Sequence, residues 1–88
     1  MAAQTDRNNY ELIHNLDKLH TTELGIARVK RNLSFHVDDV VEWCSSKIQR
    51  PNAMITRKGK NWYIDIDDFE ITVNAYCYTI ITAHKLEK

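Results

Sequence analysis

The chain has 88 residues, enough for one small domain with a limited core, since a chain of this size buries only around 60–65% of its unfolded surface. Twelve basic residues balance twelve acidic ones, with four histidines besides; this excludes a strongly basic nucleic-acid coat and leaves room for a local basic patch. No apolar run approaches the roughly 20 residues that span a bilayer, the N-terminal MAAQTDRNNY lacks the layout of a signal peptide, and Cys44 and Cys77 form no CxxC, so the expectation is a cytoplasmic protein with no membrane association and two reduced, buried thiols.

Residues 1–8 are small and polar and read as frayed. Tyr10, Ile13, Leu16 and Leu19, with Leu12 beside them, have helical spacing and predict a first helix over about 9–20. Thr21 or Thr22 can cap a second helix over about 23–32, which would bury Leu24, Ala27 and Ile26 or Val29 and end at Asn32. Gly25 inside it costs roughly 1 kcal/mol against Ala, which points to a close approach there. A third helix over about 37–49 carries the stripe Val37, Val40, Val41, Cys44 and Ile48, has Asp38, Asp39 and Glu42 at its start, and is stopped by Pro51.

Residues 53–84 read as an antiparallel meander, with strands over about 53–57, 61–66, 69–75 and 77–84. A two-residue loop at Lys58-Gly59, with the glycine second, would set Ile55 opposite Trp62 and Ala53 opposite Ile64. A turn at Asp67-Asp68 sets Ile66 opposite Phe69, Ile64 opposite Ile71 and Trp62 opposite Val73. Both turns put Ile55, Trp62, Ile64, Ile66, Phe69, Ile71 and Val73 on one apolar face, and Thr56, Asn61, Tyr63, Asp65, Glu70, Thr72 and Asn74 on a polar one. The fourth strand has two registers. A loop of Tyr76-Cys77 turns Tyr78, Ile80, Thr82 and His84 to the core; a loop of 75–77 turns them to the polar face, with Thr82 and His84 near Thr72 and Asn74. The fold class is α+β: two to three N-terminal helices on one face of a four-stranded antiparallel meander, in a single domain of residues 1–88, with a charged tail from Lys85 to Lys88.

Chemistry is less legible. Arg28, Lys30 and Arg31 on the second helix, with Arg57, Lys58 and Lys60 around the first hairpin, make a phosphate-contacting patch if they converge in space; each alone is an ordinary solvated cation. The polar sheet face offers Tyr63, Asn74 and Tyr78 as a platform for RNA bases, against its commoner role as the wet side of a two-layer domain. His84 beside Thr82 is a candidate acid–base pair, because imidazole titrates near neutral pH. The set His14, His20, His36 and His84 shows no metal-ligand spacing, so neither a metal nor another cofactor is indicated. Cys77 lacks a basic partner close in sequence and reads as packing.

The segments LDKLHTTELG, RVKRNL, DDVVEWC, ITRKGKNWY and ITVNAYCYTIITAHK resemble a small family of uncharacterised bacterial proteins, a domain of unknown function, over about residues 12–85. More loosely, the helix ending RNLS, the helix DDVVEWC, the meander and the closing strand YTIITAHK are similar in order to the barnase–EndoU–colicin–RelE-like ribonuclease superfamily. That resemblance implies a toxin-like, metal-independent ribonuclease. Arg28 or Arg31 would match its helical cation, and Thr82 with His84 its late-strand group. His20 or His84 would then be the general base, and Arg57, Lys60, Tyr63, Asn74 and Tyr78 would bind substrate. Some relatives carry a helical His where this chain has Glu23, one turn beyond His20. The alternative is a non-catalytic module binding RNA or a protein partner, or a homodimer formed through an open sheet edge.

Overall fold

A computed structural model describes residues 11–33 and 36–86. The expectations for residues 1–8, for Tyr10 and for the last two residues of the charged tail lie outside them. The architecture is α+β: helices precede a four-stranded antiparallel sheet of order β1-β2-β3-β4, with β1 at Met54–Lys58, β2 at Asn61–Ile66, β3 at Phe69–Asn74 and β4 at Ile80–Lys85.

The first helical segment ends sooner than its spacing predicts. Residues 11–14 are helical and Leu16–Lys18 form a 3-10 turn, after which Leu19 is extended at ψ 136. The helix stops because the sheet claims the next residue: His20 makes a parallel bridge to Thr79, donating from its N–H to Tyr78 O at 3.2 Å and accepting from Ile80 N at 2.8 Å. Leu12 and Leu19 are buried, and Ile13, expected on the inner face, is 44% exposed.

Helix α1, Glu23–Leu33, is capped by Thr22, whose Oγ1 accepts the Gly25 N–H at 3.0 Å. Its inner side is Gly25, Val29 and Leu33, not Leu24 and Ala27, which face solvent. The roll is set by polar ties to the β4 margin: Thr21 Oγ1 donates to Ile80 O at 3.0 Å, Arg28 Nη1 to Ile81 O at 3.4 Å and Asn32 Nδ2 to Thr82 Oγ1 at 3.1 Å. Asn32 therefore lies within the helix and does not end it. Helix α2, Val40–Ile48, begins three residues later than the stripe predicts, because Asp39 serves as its N-cap, accepting Glu42 N–H at 3.1 Å. Val40, Cys44 and Ile48 enter the core from α2.

The β2–β3 turn is as expected: Asp67 takes φ 57, and Ile66 pairs with Phe69, Ile64 with Ile71 and Trp62 with Val73. The first hairpin differs. Its loop is Gly59-Lys60, so Lys58 pairs with Asn61, Arg57 with Trp62 and Ile55 with Ile64. Gly59, at φ 64, is the first loop residue, the position that a II′ turn gives to glycine. The shift moves the pairing by two, so the faces survive it and Ile55 remains buried.

The fourth strand follows neither register throughout. Asn74 and Thr79 close a loop of residues 75–78, Val73 pairs with Ile80, and Thr72 pairs with Thr82; Ile81 is the extra residue of a β-bulge. Ile80 is thereby turned to the core before the bulge and Ala83 after it, while Thr82 and His84 stay on the polar face. The Ile81 carbonyl is met by Arg28. One contiguous core joins Leu12, Leu19 and the inner sides of both helices to Ile55, Trp62, Ile64, Ile66, Ile71, Val73, Ile80 and Ala83.

Candidate functional site

The face of the sheet turned away from the core is built by strand alternation. Asp65 on β2 stands directly opposite Glu70 on β3, and Glu70 opposite His84 on β4, with His84 Nε2 3.8 Å from Glu70 Oε1. Two carboxylates facing each other across strands repel. Desolvation first, and then the charge of Asp65 and a hydrogen bond with it, push the Glu70 carboxyl above its ordinary range, while His84 works the other way. This pair closes one side of a shallow depression of about 520 Å³ also lined by Thr56, Lys58, Gly59 and Tyr63. Thr72, between Tyr63 and Thr82, is covered by its neighbours and only 6% exposed.

The candidates from the sequence are distributed over this frame. Thr82 and His84 share the polar face, two residues apart, and Tyr63 joins them there. His20 does not: it is level with Thr79, which meets Asn74, whereas His84 meets Glu70, four residues along β3 and roughly 13 Å away at about 3.3 Å per residue. Arg28 and Asn32 tie α1 to β4, and Arg31 is exposed on the same helix. The basic hairpin belongs to the opposite margin, since β1 and β4 are three strand spacings apart, about 14 Å. His84 is opposite Glu70 and not beside Asn74.

Arg57 is engaged with the apolar side: its guanidinium lies 5.7 Å from the Trp62 ring and 5.6 Å from that of Tyr76, and its Nε donates to Gly59 O at 2.9 Å. Lys60 is an exposed loop residue whose carbonyl accepts Ala75 N–H at 2.8 Å. Asn74 organises the β3–β4 loop, its Oδ1 accepting the N–H of Tyr76 at 2.9 Å and of Cys77 at 3.1 Å. Tyr78, at φ 60, packs on Trp62 with ring centroids 5.4 Å apart, and Lys18 sits 5.5 Å over its ring.

Two features escaped the sequence reading. The opposition of Asp65 and Glu70 follows from the expected β2–β3 register, but the sequence reading took both only as polar residues of one face and did not pair them. Cys77 was expected to be buried, and it is exposed, whereas Cys44 is buried. The Cys77 Sγ is 3.0 Å from Thr79 Oγ1, which is 3.0 Å from His20 Nε2. No local pattern could pair a histidine with a thiol 57 positions later; only the bridge between His20 and Thr79 does so. Among the described residues no group of three or more His, Cys, Asp or Glu is arranged to hold a metal ion, and no helix is long and apolar enough to cross a membrane.

The fold and its open face define an α+β domain with a polar, acid-centred sheet surface. The chain belongs to the family described as protein of unknown function (DUF3781), which matches residues 13–84. No curated protein and no solved structure matches it.

Proposed function

We propose that the domain is a non-catalytic binding module that receives a cationic segment of a protein partner on the open face of its sheet. The observation that carries this reading is the directly opposed pair Asp65 and Glu70. A carboxylate pair of this kind destabilises the free domain at neutral pH, and a lysine or arginine from a partner converts the repulsion into two charge-assisted hydrogen bonds. Thr56 and Tyr63 supply hydroxyls beside the pair, and Lys58 bounds the depression on its other side.

The reading takes precedence over RNA binding because a phosphate backbone would bring further negative charge against Asp65 and Glu70. It takes precedence over ribonuclease action because a general base and the cations that stabilise the charged phosphate must meet at one place, whereas His84 faces Glu70, Arg28 is tied to the Ile81 carbonyl, and the basic hairpin lies about 14 Å away across the sheet. Self-association through β1 ranks lower, since its edge bears Arg57 and Lys58, and cations on an edge strand oppose strand addition.

The test is a titration of isotope-labelled protein followed by NMR, with an arginine-rich peptide in one series and single-stranded RNA in the other. The peptide is expected to shift amides of β2 and β3 around Asp65 and Glu70, and Glu70→Gln to weaken it about tenfold, as the loss of a charge-assisted bond does. RNA shifts centred on Arg28, Arg31 and the β1–β2 hairpin, or shortening of the RNA, would replace this reading with the nucleic-acid one.

A further inference from the structure

The β3–β4 loop carries a second polar cluster, independent of the carboxylate pair. Three groups from two distant parts of the chain form a line: Cys77 Sγ, Thr79 Oγ1 and His20 Nε2, each 3.0 Å from the next. The direction of the line follows from its far end. His20 Nδ1 lies 2.9 Å from Lys18 O, and a carbonyl can only accept, so Nδ1 carries the hydrogen of the neutral ring. Nε2 is then the acceptor, the Thr79 hydroxyl donates to it, and the remaining lone pair of Thr79 Oγ1 faces the thiol. The Cys77 S–H thus has two acceptors, Asn74 Oδ1 at 3.4 Å and the closer Thr79 hydroxyl at 3.0 Å, and the second opens a path that ends on the acceptor nitrogen of the imidazole.

The path is held from both sides. Backbone bonds on either side of His20 fix it beside Thr79, and Asn74 Oδ1 gathers the N–H groups of Tyr76 and Cys77 and lies 3.4 Å from the thiol. Tyr78 follows in the left-handed region at φ 60, a conformation that is unfavourable for a bulky residue and persists only where its surroundings enforce it. Around the loop the charged and titratable groups are His20, Tyr76 and Tyr78, with Arg57 over the Tyr76 ring, Lys18 over the Tyr78 ring, and Glu11 acting on Tyr78. The other thiol, Cys44, is buried in the core and its pKa is raised to about 12.

We propose that Cys77 is a reactive thiol that exchanges with low-molecular-weight disulfides, with Thr79 and His20 as the route by which its proton leaves. The Cys77 proton passes to Thr79 Oγ1 as the Thr79 hydroxyl proton passes to His20 Nε2. The thiolate attacks one sulfur of the disulfide, a Cys77 S–S bond forms as the original S–S bond breaks, and the departing thiolate recovers the proton from the imidazolium. The Cys77 sulfur is oxidised, the leaving thiol is reduced, and His20 returns to its neutral form. Once the relay has run, the Thr79 hydroxyl carries the former Cys77 proton and donates it to the thiolate; this side-chain bond, and then one with the backbone, lowers the thiol pKa and raises its thiolate fraction. With Cys44 sealed in the core, no second thiol of the chain is placed to resolve the product. The expected end state is a stable mixed disulfide.

The experiment incubates the full chain with oxidised glutathione and follows adducts by intact mass and peptide mapping across pH. One adduct per chain is expected, on Cys77, with Cys44 unmodified. His20→Gln and Thr79→Val should each slow the reaction at pH 7 by about 3–10-fold and move the midpoint of its pH profile upward, whereas Thr79→Ser, which keeps the hydroxyl, should retain the wild-type profile. Protection of Cys44 certifies that each variant is folded; should His20→Gln lose it, Thr79→Val and Thr79→Ser decide alone. A Cys77 that reacts with the rate and pH midpoint of the thiols in the denatured chain, or that is indifferent to the loss of the Thr79 hydroxyl, overturns the proposal.

Discussion

A Cβ built on Gly25 would lie 2.2 Å from Thr21 Oγ1, the atom that ties the entrance of α1 to the Ile80 carbonyl. Helix propensity alone favours alanine here by about 1 kcal/mol. The clash outweighs it, because the displaced hydroxyl leaves a half-buried bond unmade, which costs about 1–3 kcal/mol. Gly25→Ala is therefore expected to destabilise by up to about 2 kcal/mol in urea unfolding, the bond lost less the propensity gained. Thr21→Ala in the same chain should recover part of that loss, a non-additivity that exposes the contact. At the same scale, the Trp62 indole N–H is buried and finds no hydrogen-bond partner among the described residues, while Arg57 and Tyr78 lie against its ring. Burial of its large ring outweighs this cost, since a tryptophan buries on the order of 200 Å² of surface.

Among the elements, the first hairpin shows how a register can be wrong and its faces right. Gly59 is the second residue of the expected loop and the first residue of the actual one, yet both place Ile55 on the apolar face, because a shift by two preserves the pleat. Its φ of 64 and the empty space around its missing Cβ make the backbone the whole reason for glycine. Gly59→Ala should cost about 1 kcal/mol in urea unfolding, and Gly59→Asn less, since asparagine tolerates this region. What was legible in the sequence is what repeats locally: the apolar alternation of β2 and β3, the Asp67-Asp68 turn, and a threonine cap before α1, for which Thr21 and Thr22 both stood and Thr22 serves. What was not legible depends on distant partners. The roll of α1 that exposes Leu24 comes from bonds to β4, and the bulge at Ile81 shares its carbonyl with Arg28. The two registers considered for β4 each describe one half of it, because a bulge allows both. The same limit applies to the site: Thr82 and His84 were placed on one face by alternation, whereas the neighbours of His20 and Cys77 arise from a parallel bridge that no periodicity announces.

For the whole molecule, two carboxylates give pH dependences of opposite sign. Asp67 is held below the ordinary aspartate value of 3.8, first by the hydrogen bond from Lys47, whose Nζ lies 3.1 Å away and links α2 to the β2–β3 turn. A lowered folded pKa adds stability above the unfolded value and loses it as pH falls through the folded one. Asp67→Asn should thus destabilise at pH 7 and become neutral in strong acid. Glu70 is raised above its ordinary 4.5, mainly by desolvation and then by Asp65. A raised folded pKa adds stability below the unfolded value and loses it as pH rises through the folded one, so at neutral pH the ionised Glu70 is a cost. Glu70→Gln should raise Tm at pH 7, with the gain vanishing near pH 4 and below. A partner's cation would remove that same cost, so the variant that stabilises the free domain should also bind the arginine-rich peptide less tightly. Opposite signs in Tm and affinity distinguish a binding residue from a structural one, for which loss of the carboxylate would lower both.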